Sequence, residues 1–228
     1  MIAVIGDVHG CYYTLLELYN KIKDKYPELE IFCVGDLVDR GNYSCQVINF
    51  VMEKKVKVTT GNHDQMFYYF FKHPFNEIGK AWLYNGYEQT LISYSNNNYH
   101  KLEEHLNFIK SAPLYYNLDD CFISHAGISK YYKKVLQENN NDLNAIDSVL
   151  KSDFEADHGI LWTRNELLDI GKLQIVGHTR KKEILSIKNT NVVYIDTSAY
   201  TNKLSAVIVE DNKIIETISI QTLYEDIN

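Results

Sequence analysis

The chain has 228 residues, 45% of them hydrophobic, and a formal net charge of -7. That is length enough for one sizeable core, read as a single domain over residues 1–228, and the acidic balance argues against a nucleic-acid binding platform or a membrane-surface binder, both of which need a basic face. No apolar run approaches the roughly 18 residues of a membrane helix, and the N-terminus lacks the basic lead-in of a signal peptide, so the expected location is the cytoplasm.

In chain order, Ile2–Ile5 and Ile31–Val34 read as buried strands, each followed by Gly-Asp. Between them Leu15, Leu18, Tyr19, Ile22 and Tyr26 recur at helical spacing, with Pro27 as a stop. Val47, Ile48, Val51 and Met52 mark a second helix, and Val56–Thr60 a short third strand ending at a glycine. This β-α-β-α-β order predicts a parallel sheet with crossover helices. Residues 65–112 read as mainly helical, with Leu102, Leu106 and Ile109 on one face, and the Asn-rich stretches 96–98 and 139–141 as exposed loops.

From Leu114 onward the pattern becomes β-rich. Leu114–Leu118 and Cys121–Ser124 flank an Asp-Asp turn, and further strands are expected near 173–176, 183–187, 192–196, 203–210 and 213–220, some paired antiparallel through turns such as Asp211-Asn212. A parallel half followed by a β-rich half predicts an α/β fold of two mixed sheets packed face to face with helices outside. The four cysteines (Cys11, Cys33, Cys45 and Cys121) form no Cys-x-x-Cys pair, and Cys33 and Cys121 read as buried reduced thiols.

Five stretches share one form: GDVHG (6–10), GDLVDRG (35–41), GNHD (61–64), SHAG (124–127) and GHT (177–179). Each follows an apolar strand-like run and puts a carboxylate, amide or imidazole at the strand's C-terminal end, where ligand sites of open α/β sheets form. Asp7 and His9, two apart, point to the same side of an extended chain. The donors are mixed oxygen and nitrogen: Asp7, His9, Asp36, Asn62, His125 and His178. Such a set suits manganese, iron, zinc or nickel better than calcium, and without thiolates it is no structural zinc site. Six ligands are too many for one open catalytic ion and suit two ions sharing a bridging carboxylate, a recurring solution for displacement at phosphorus. The acidic balance does not exclude a phosphorylated substrate, because bound cations invert the local field.

With LWTR (161–164) and YIDT (194–197), these stretches resemble the calcineurin-like metallophosphoesterases, and within them the phosphoprotein phosphatase branch, nearest the small bacterial and phage (lambda-type) serine/threonine phosphatases. The resemblance implies a four-layer α-β-β-α sandwich. It implies two divalent ions, Mn(2+) first, with Asp7 and His9 on one, Asn62, His125 and His178 on the other, and Asp36 bridging. A metal-bridging hydroxide would attack phosphorus in line, Arg40 and Arg164 would bind the phosphoryl oxygens, and His63, oriented by Asp39, would protonate the leaving group. Guanidinium forks pair two phosphoryl oxygens at once, and an imidazolium held by a carboxylate is the acid that an alkoxide leaving group needs.

The chain departs from the family pattern at Thr60, where close relatives often carry arginine, at Asn42 for a usual proline, at Ser198 for a common glycine, and at Asp64 for the glutamate of protein phosphatases. GNHD with HAG also occurs in the diadenosine tetraphosphatase relatives, whereas an alanine commonly stands there at the position of Asp39. The first expectation is therefore a protein serine/threonine phosphatase acting on phosphorylated proteins or peptides. The alternative is a diadenosine tetraphosphatase-like hydrolase of nucleotide phosphoanhydride or phosphodiester bonds, to which Asp64, Ala126 and the basic run Arg180-Lys181-Lys182 point. A phosphoprotein-binding scaffold would require loss of a ligand or of the acid pair, and the sequence shows neither. A monomer is the expected state, and no membrane partner is expected.

Overall fold

The computed structural model describes residues 1–95, 98–139 and 142–228. The first half alternates strand and helix: β1 (Ile2–Ile5), α1 (Tyr12–Lys25), β2 (Ile31–Cys33), α2 (Ser44–Glu53), β3 (Lys57–Val58) and α3 (Asn62–Lys72). Three more helices follow, α4 (Glu77–Ala81), α5 (Glu88–Ser95) and α6 (Leu102–Ser111). The second half holds β4 (Tyr115–Asn117), β5 (Phe122–Ser124), α7 (Lys133–Glu138), α8 (Asp147–Ser152), β6 (Gln174–Val176), β7 (Leu185–Ile187), β8 (Val192–Tyr194), β9 (Lys203–Glu210) and β10 (Lys213–Gln221).

Among the described residues the strands form two mixed sheets of five, in the orders β10-β9-β1-β2-β3 and β4-β5-β6-β8-β7. Strand alternation sorts the core into layers. On β1, Ile2 and Val4 pack with Phe32, Val34, Ile123, Ile175, Val193, Val207 and Val209 between the sheets. Ala3 and Ile5 face the other way, onto Leu15, Leu18 and Ile22 of α1 and Val47 and Ile48 of α2. Phe122 of β5 points outward against Tyr132, Leu136 of α7 and Leu150 of α8. Helices, two sheets and helices again make the expected four layers.

Three expectations change. The last two strands do not stay with the β-rich half: β9 pairs antiparallel with β1 (Val4 opposite Val207), so the chain returns to complete the first sheet. Its hairpin to β10 turns through Asp211 and Asn212, both at positive φ (47° and 60°) as a two-residue type I′ turn requires. The third strand is shorter than Val56–Thr60, because past Val58 the chain leaves the sheet and Thr60 N donates to Pro113 O (2.9 Å) instead. Of the Asn-rich stretches, 96, 97, 140 and 141 lie outside the described residues, while Asn98 and Asn139 are half-buried rather than exposed. All four cysteines are buried and free.

Candidate metal centre and phosphoryl site

The five glycine-bearing stretches leave the C-terminal ends of β1, β2, β3, β5 and β6 and converge, three from one sheet and two from the other. Asp7, His9, Asp36, Asp39, Asn62, His63, His125 and His178 are all buried there, Arg40 is half-buried and Arg164 exposed. The loops are tightly wound: His9, Asp36, Asp39, Arg40 and His178 all have positive φ, between 46° and 74°. Non-glycine residues hold that conformation only where their surroundings over-determine it. The glycines admit the close approach. A Cβ at 177 would run into Asp7 Oδ1, and one at 61 into the backbone and carboxylate of Asp36.

Each imidazole has one nitrogen committed. His9 Nδ1 donates to Val38 O (2.9 Å), His125 Nδ1 to Val34 O (2.8 Å) and His178 Nε2 to Trp162 O (3.2 Å). Such bonds fix the tautomer and leave the other nitrogen as a lone pair. The free nitrogens of His125 and His178 both face Asn62 Oδ1, at 2.9 and 2.8 Å. Burial holds the protonation of His9 and His125 below the usual imidazole range and that of His178 down to about 3. Two nitrogen lone pairs and an amide oxygen thus meet with no proton between them, an arrangement that a cation relieves.

Counting carboxylate and imidazole atoms alone, Asp36 belongs to two clusters of ligand atoms within 4.8 Å of one another, one with Asp7 and His125 and one with His9 and His63. Asp36 lies 3.5 Å from both His9 Nε2 and His125 Nε2, on different oxygens. The donor set fits divalent ions, with Asp36 placed to serve both clusters. In the first-sheet cluster His9 and His63 lie side by side, and the Arg40 guanidinium donates to His9 Nε2 through Nη1 and to His63 Nε2 through Nη2 (the latter at 2.9 Å). A cation on His9 needs the lone pair that Arg40 now holds. The two are mutually exclusive.

Electrostatics divide the carboxylates. Although burial opposes it, Asp36 is held well below the usual carboxylate range by His125, His63, His9 and His178 around it. Asp7 is raised by burial, then by Asp196 and Asp36. Asp64 is raised to about 7 by burial and by Asp36; its carboxylate accepts from Leu37 N (2.8 Å) and Gly61 N (3.2 Å) and so ties two of the site loops together.

His63 Nδ1 donates to Asp39 Oδ2 at 2.6 Å. Asp39 is further held by Trp82 Nε1 (2.8 and 3.0 Å) and Thr90 Oγ1 (2.9 Å), two residues that sequence reading missed because they come from a distant, locally unremarkable helical segment. Arg164 is exposed, and its Nη1 donates to the carbonyl of His178 (3.2 Å). Asp196 was also missed as a site residue: it is buried, follows β8, and is raised by burial and by Asp36. A signal for it existed, since it too is an aspartate after an apolar strand (Val192–Ile195) with small residues behind it.

Residues 1–200 match the model of the calcineurin-like phosphoesterase family. The chain belongs to that family. Its members are metal-dependent phosphoester hydrolases, and this chain is accordingly a metallophosphoesterase. It is 28% identical over 227 residues to bis(5'-nucleosyl)-tetraphosphatase PrpE (asymmetrical) of Bacillus cereus, covering 86% of this chain and 85% of that one. Among solved structures it resembles a cold-active protein-tyrosine phosphatase of a psychrophilic Shewanella (21% identity, TM-score 0.67, 97% of this chain and 80% of that one). It also resembles a protein serine/threonine phosphatase of Saccharomyces cerevisiae (16% identity, TM-score 0.57, 97% and 79%). At those identities the two structures speak to the fold. No helix among the described residues is long and apolar enough to cross a membrane.

Proposed function

We propose that this metallophosphoesterase hydrolyses the phosphoanhydride chain of dinucleoside polyphosphates, cutting it off-centre, with Asp7, His9, Asp36, Asn62, His125 and His178 holding two divalent ions, manganese first. The observation that supports the substrate is the 28% identity to an asymmetrical bis(5'-nucleosyl)-tetraphosphatase over 86% of the chain. This reverses the order of the two sequence expectations.

When bound, the ions supply positive charge at the phosphoryl group and lower the pKa of a water. The side chains do the rest. Water adds to phosphorus, the bridging P–O bond breaks, and the departing nucleotide oxygen takes the electron pair. Arg40, freed from His9, clamps phosphoryl oxygens with its fork. Released from Arg40 and protonated at Nε2, with its Nδ1 proton engaged by Asp39, His63 gives the Nε2 proton to the leaving oxygen, while the attacking water releases its proton to solvent.

Phosphomonoester hydrolysis on phosphoserine, phosphothreonine or phosphotyrosine is the second reading. The intact Asp39–His63 pair favours it, since an alkoxide leaving group needs an acid more than a phosphate does. The deciding experiment supplies diadenosine tetraphosphate and a phosphoserine peptide in parallel, with manganese, and identifies the products. Faster cleavage of the dinucleotide to AMP and ATP is expected. Peptide dephosphorylation with the dinucleotide left intact would reject the proposal.

A further inference from the structure

Beside the site lies a cavity of about 740 Å³ lined by Arg164, Thr179, Arg180, Lys181, Lys182 and Ser198, among others. It is joined to the phosphoryl site by a short series of contacts. Arg180 Nη1 donates to the Tyr200 hydroxyl (2.6 Å), and the Tyr200 ring lies 4.8 Å from the Arg40 guanidinium and edge-on to His9 at 5.5 Å. Lys181 N donates to Asp196 O (2.9 Å), and Arg164 reaches the His178 carbonyl.

The cations around this cavity are not neutralised. Among the described residues none of Arg164, Arg180, Lys181 and Lys182 has a carboxylate within 4.0 Å, and the acidic residue on the lining, Glu183, is already paired with Lys203 at 2.5 Å. Lys181 rests over the Tyr194 ring at 5.0 Å. In a chain of net charge -7, cations gathered without partners repel one another and raise the local concentration of anions. Ser198, on the same wall, holds φ at 62°. An L side chain adopts that conformation only against resistance.

We infer that this cavity is the subsite for the phosphates that are not cleaved, the triphosphate arm of a dinucleoside tetraphosphate; the assignment rests on the dinucleotide reading above. An off-centre cut leaves three phosphates on one side of the breaking bond and one on the other. An enzyme that makes such a cut must hold the longer arm in register, and the unpaired cations of this cavity, linked to Arg40 through Tyr200 and Arg180, do so. Arg180 and Lys182 are positioning residues: they set which phosphorus reaches Arg40 and His63.

The test measures inhibition of p-nitrophenyl phosphate hydrolysis by inorganic tripolyphosphate and by orthophosphate, at fixed free manganese. The proteins are the wild type, Arg180→Gln/Lys182→Gln and the charge-keeping Arg180→Lys/Lys182→Arg, each first shown by thermal melting to be folded. In the wild type, tripolyphosphate is expected to bind at least about tenfold more tightly than orthophosphate, and the ratio should shrink at about 0.5 M salt. The double glutamine variant should bring it near one, while the charge-keeping variant retains most of it. An equal ratio in wild type and glutamine variant overturns the subsite. So does loss, in that variant, of a preference for acidic over neutral phosphopeptides with the tripolyphosphate ratio unchanged, because the cavity then serves a peptide. Diadenosine tetraphosphate cleavage, followed alongside, tests the parent reading separately: tripolyphosphate selectivity without dinucleotide cleavage rejects that reading and leaves the cavity as the binder of another polyanion.

Discussion

His63 is one hydrogen bond from Asp39 and one from Arg40, so its two nitrogens face different tasks. If it protonates the leaving oxygen, the cost of removing it must depend on how much that oxygen needs a proton. His63→Asn is expected to lower kcat on an alkyl phosphomonoester such as phosphoserine by roughly 10²–10⁴-fold. On p-nitrophenyl phosphate, whose leaving group departs as a stable anion, the loss should be no more than about tenfold. Equal losses on both substrates would remove the general-acid role and leave His63 a partner of Arg40 alone. Much of this arrangement was legible residue by residue, because Asp7, Asp36, Asn62, His125 and His178 each stand beside a glycine or small residue after an apolar run. Trp82 and Thr90 were not. Nothing local distinguishes a tryptophan that donates to a buried carboxylate from one that only fills the core, and the contact spans 43 residues.

Helix α1 shows the same limit at the scale of an element. Its periodicity marked it plainly, yet its N-cap, Cys11, makes no side-chain cap. The free N–H groups are met from the far end of the chain: Asp226 accepts from Tyr13 N (2.9 Å), Thr14 N (2.8 Å) and Thr14 Oγ1 (2.6 Å). A carboxylate there also meets the positive end of the helix dipole. Asp226→Ala is expected to lower unfolding free energy by about 1–2 kcal/mol in a urea titration, with Asp226→Asn losing less; an alanine variant within about 0.5 kcal/mol of wild type would mean the cap is redundant. The packing of α2, α5 and α6 carries a pH prediction. His105 of α6 is fully buried, with Nδ1 2.6 Å from the Tyr94 hydroxyl and Nε2 3.2 Å from Asn49 Oδ1. Burial, then the nearby Lys101, lowers its pKa from 6.5 to about 4. The unfolded chain therefore takes up a proton in a window, between about 6.5 and about 4, where the folded chain resists it. Stability from this group is complete above the upper limit and is lost as pH falls through the window. His105→Gln should flatten that part of the curve; an unchanged slope between pH 7 and pH 4.5 would show that the neutral imidazole is not what the helices require.

At the scale of the whole molecule the two sheets meet at the apolar core and again at the site. Apolar patterning made the layers legible, since strands buried on both faces read as continuous apolar runs, but it could not show that β9 returns to β1: an apolar strand carries no address, and either sheet offered an edge. Polar contacts join the sheets where the Asp211-Asn212 turn meets Asp120 and, more extensively, at the site. Asp7, His9, Asp36 and Asn62 leave the strands of one sheet, and His125, His178 and Asp196 those of the other. Without cations the centre is a conflict, with Asp7 and Asp196 raised by burial and by carboxylate neighbours and nitrogen lone pairs aimed at Asn62. Ions held there bind the folded chain and not the unfolded one, so each must stabilise the fold by mass action, about 2.7 kcal/mol per ion at a hundred times Kd. For a chain of 228 residues that is a rise in Tm of about 5–10 °C for each ion bound. Thermal melting with a chelator and then with manganese should show it, and Asp36→Asn, which weakens the carboxylate common to both ligand clusters, should abolish most of the rise. A variant that kept the full rise would mean that Asp36 is not the carboxylate shared by the two ions.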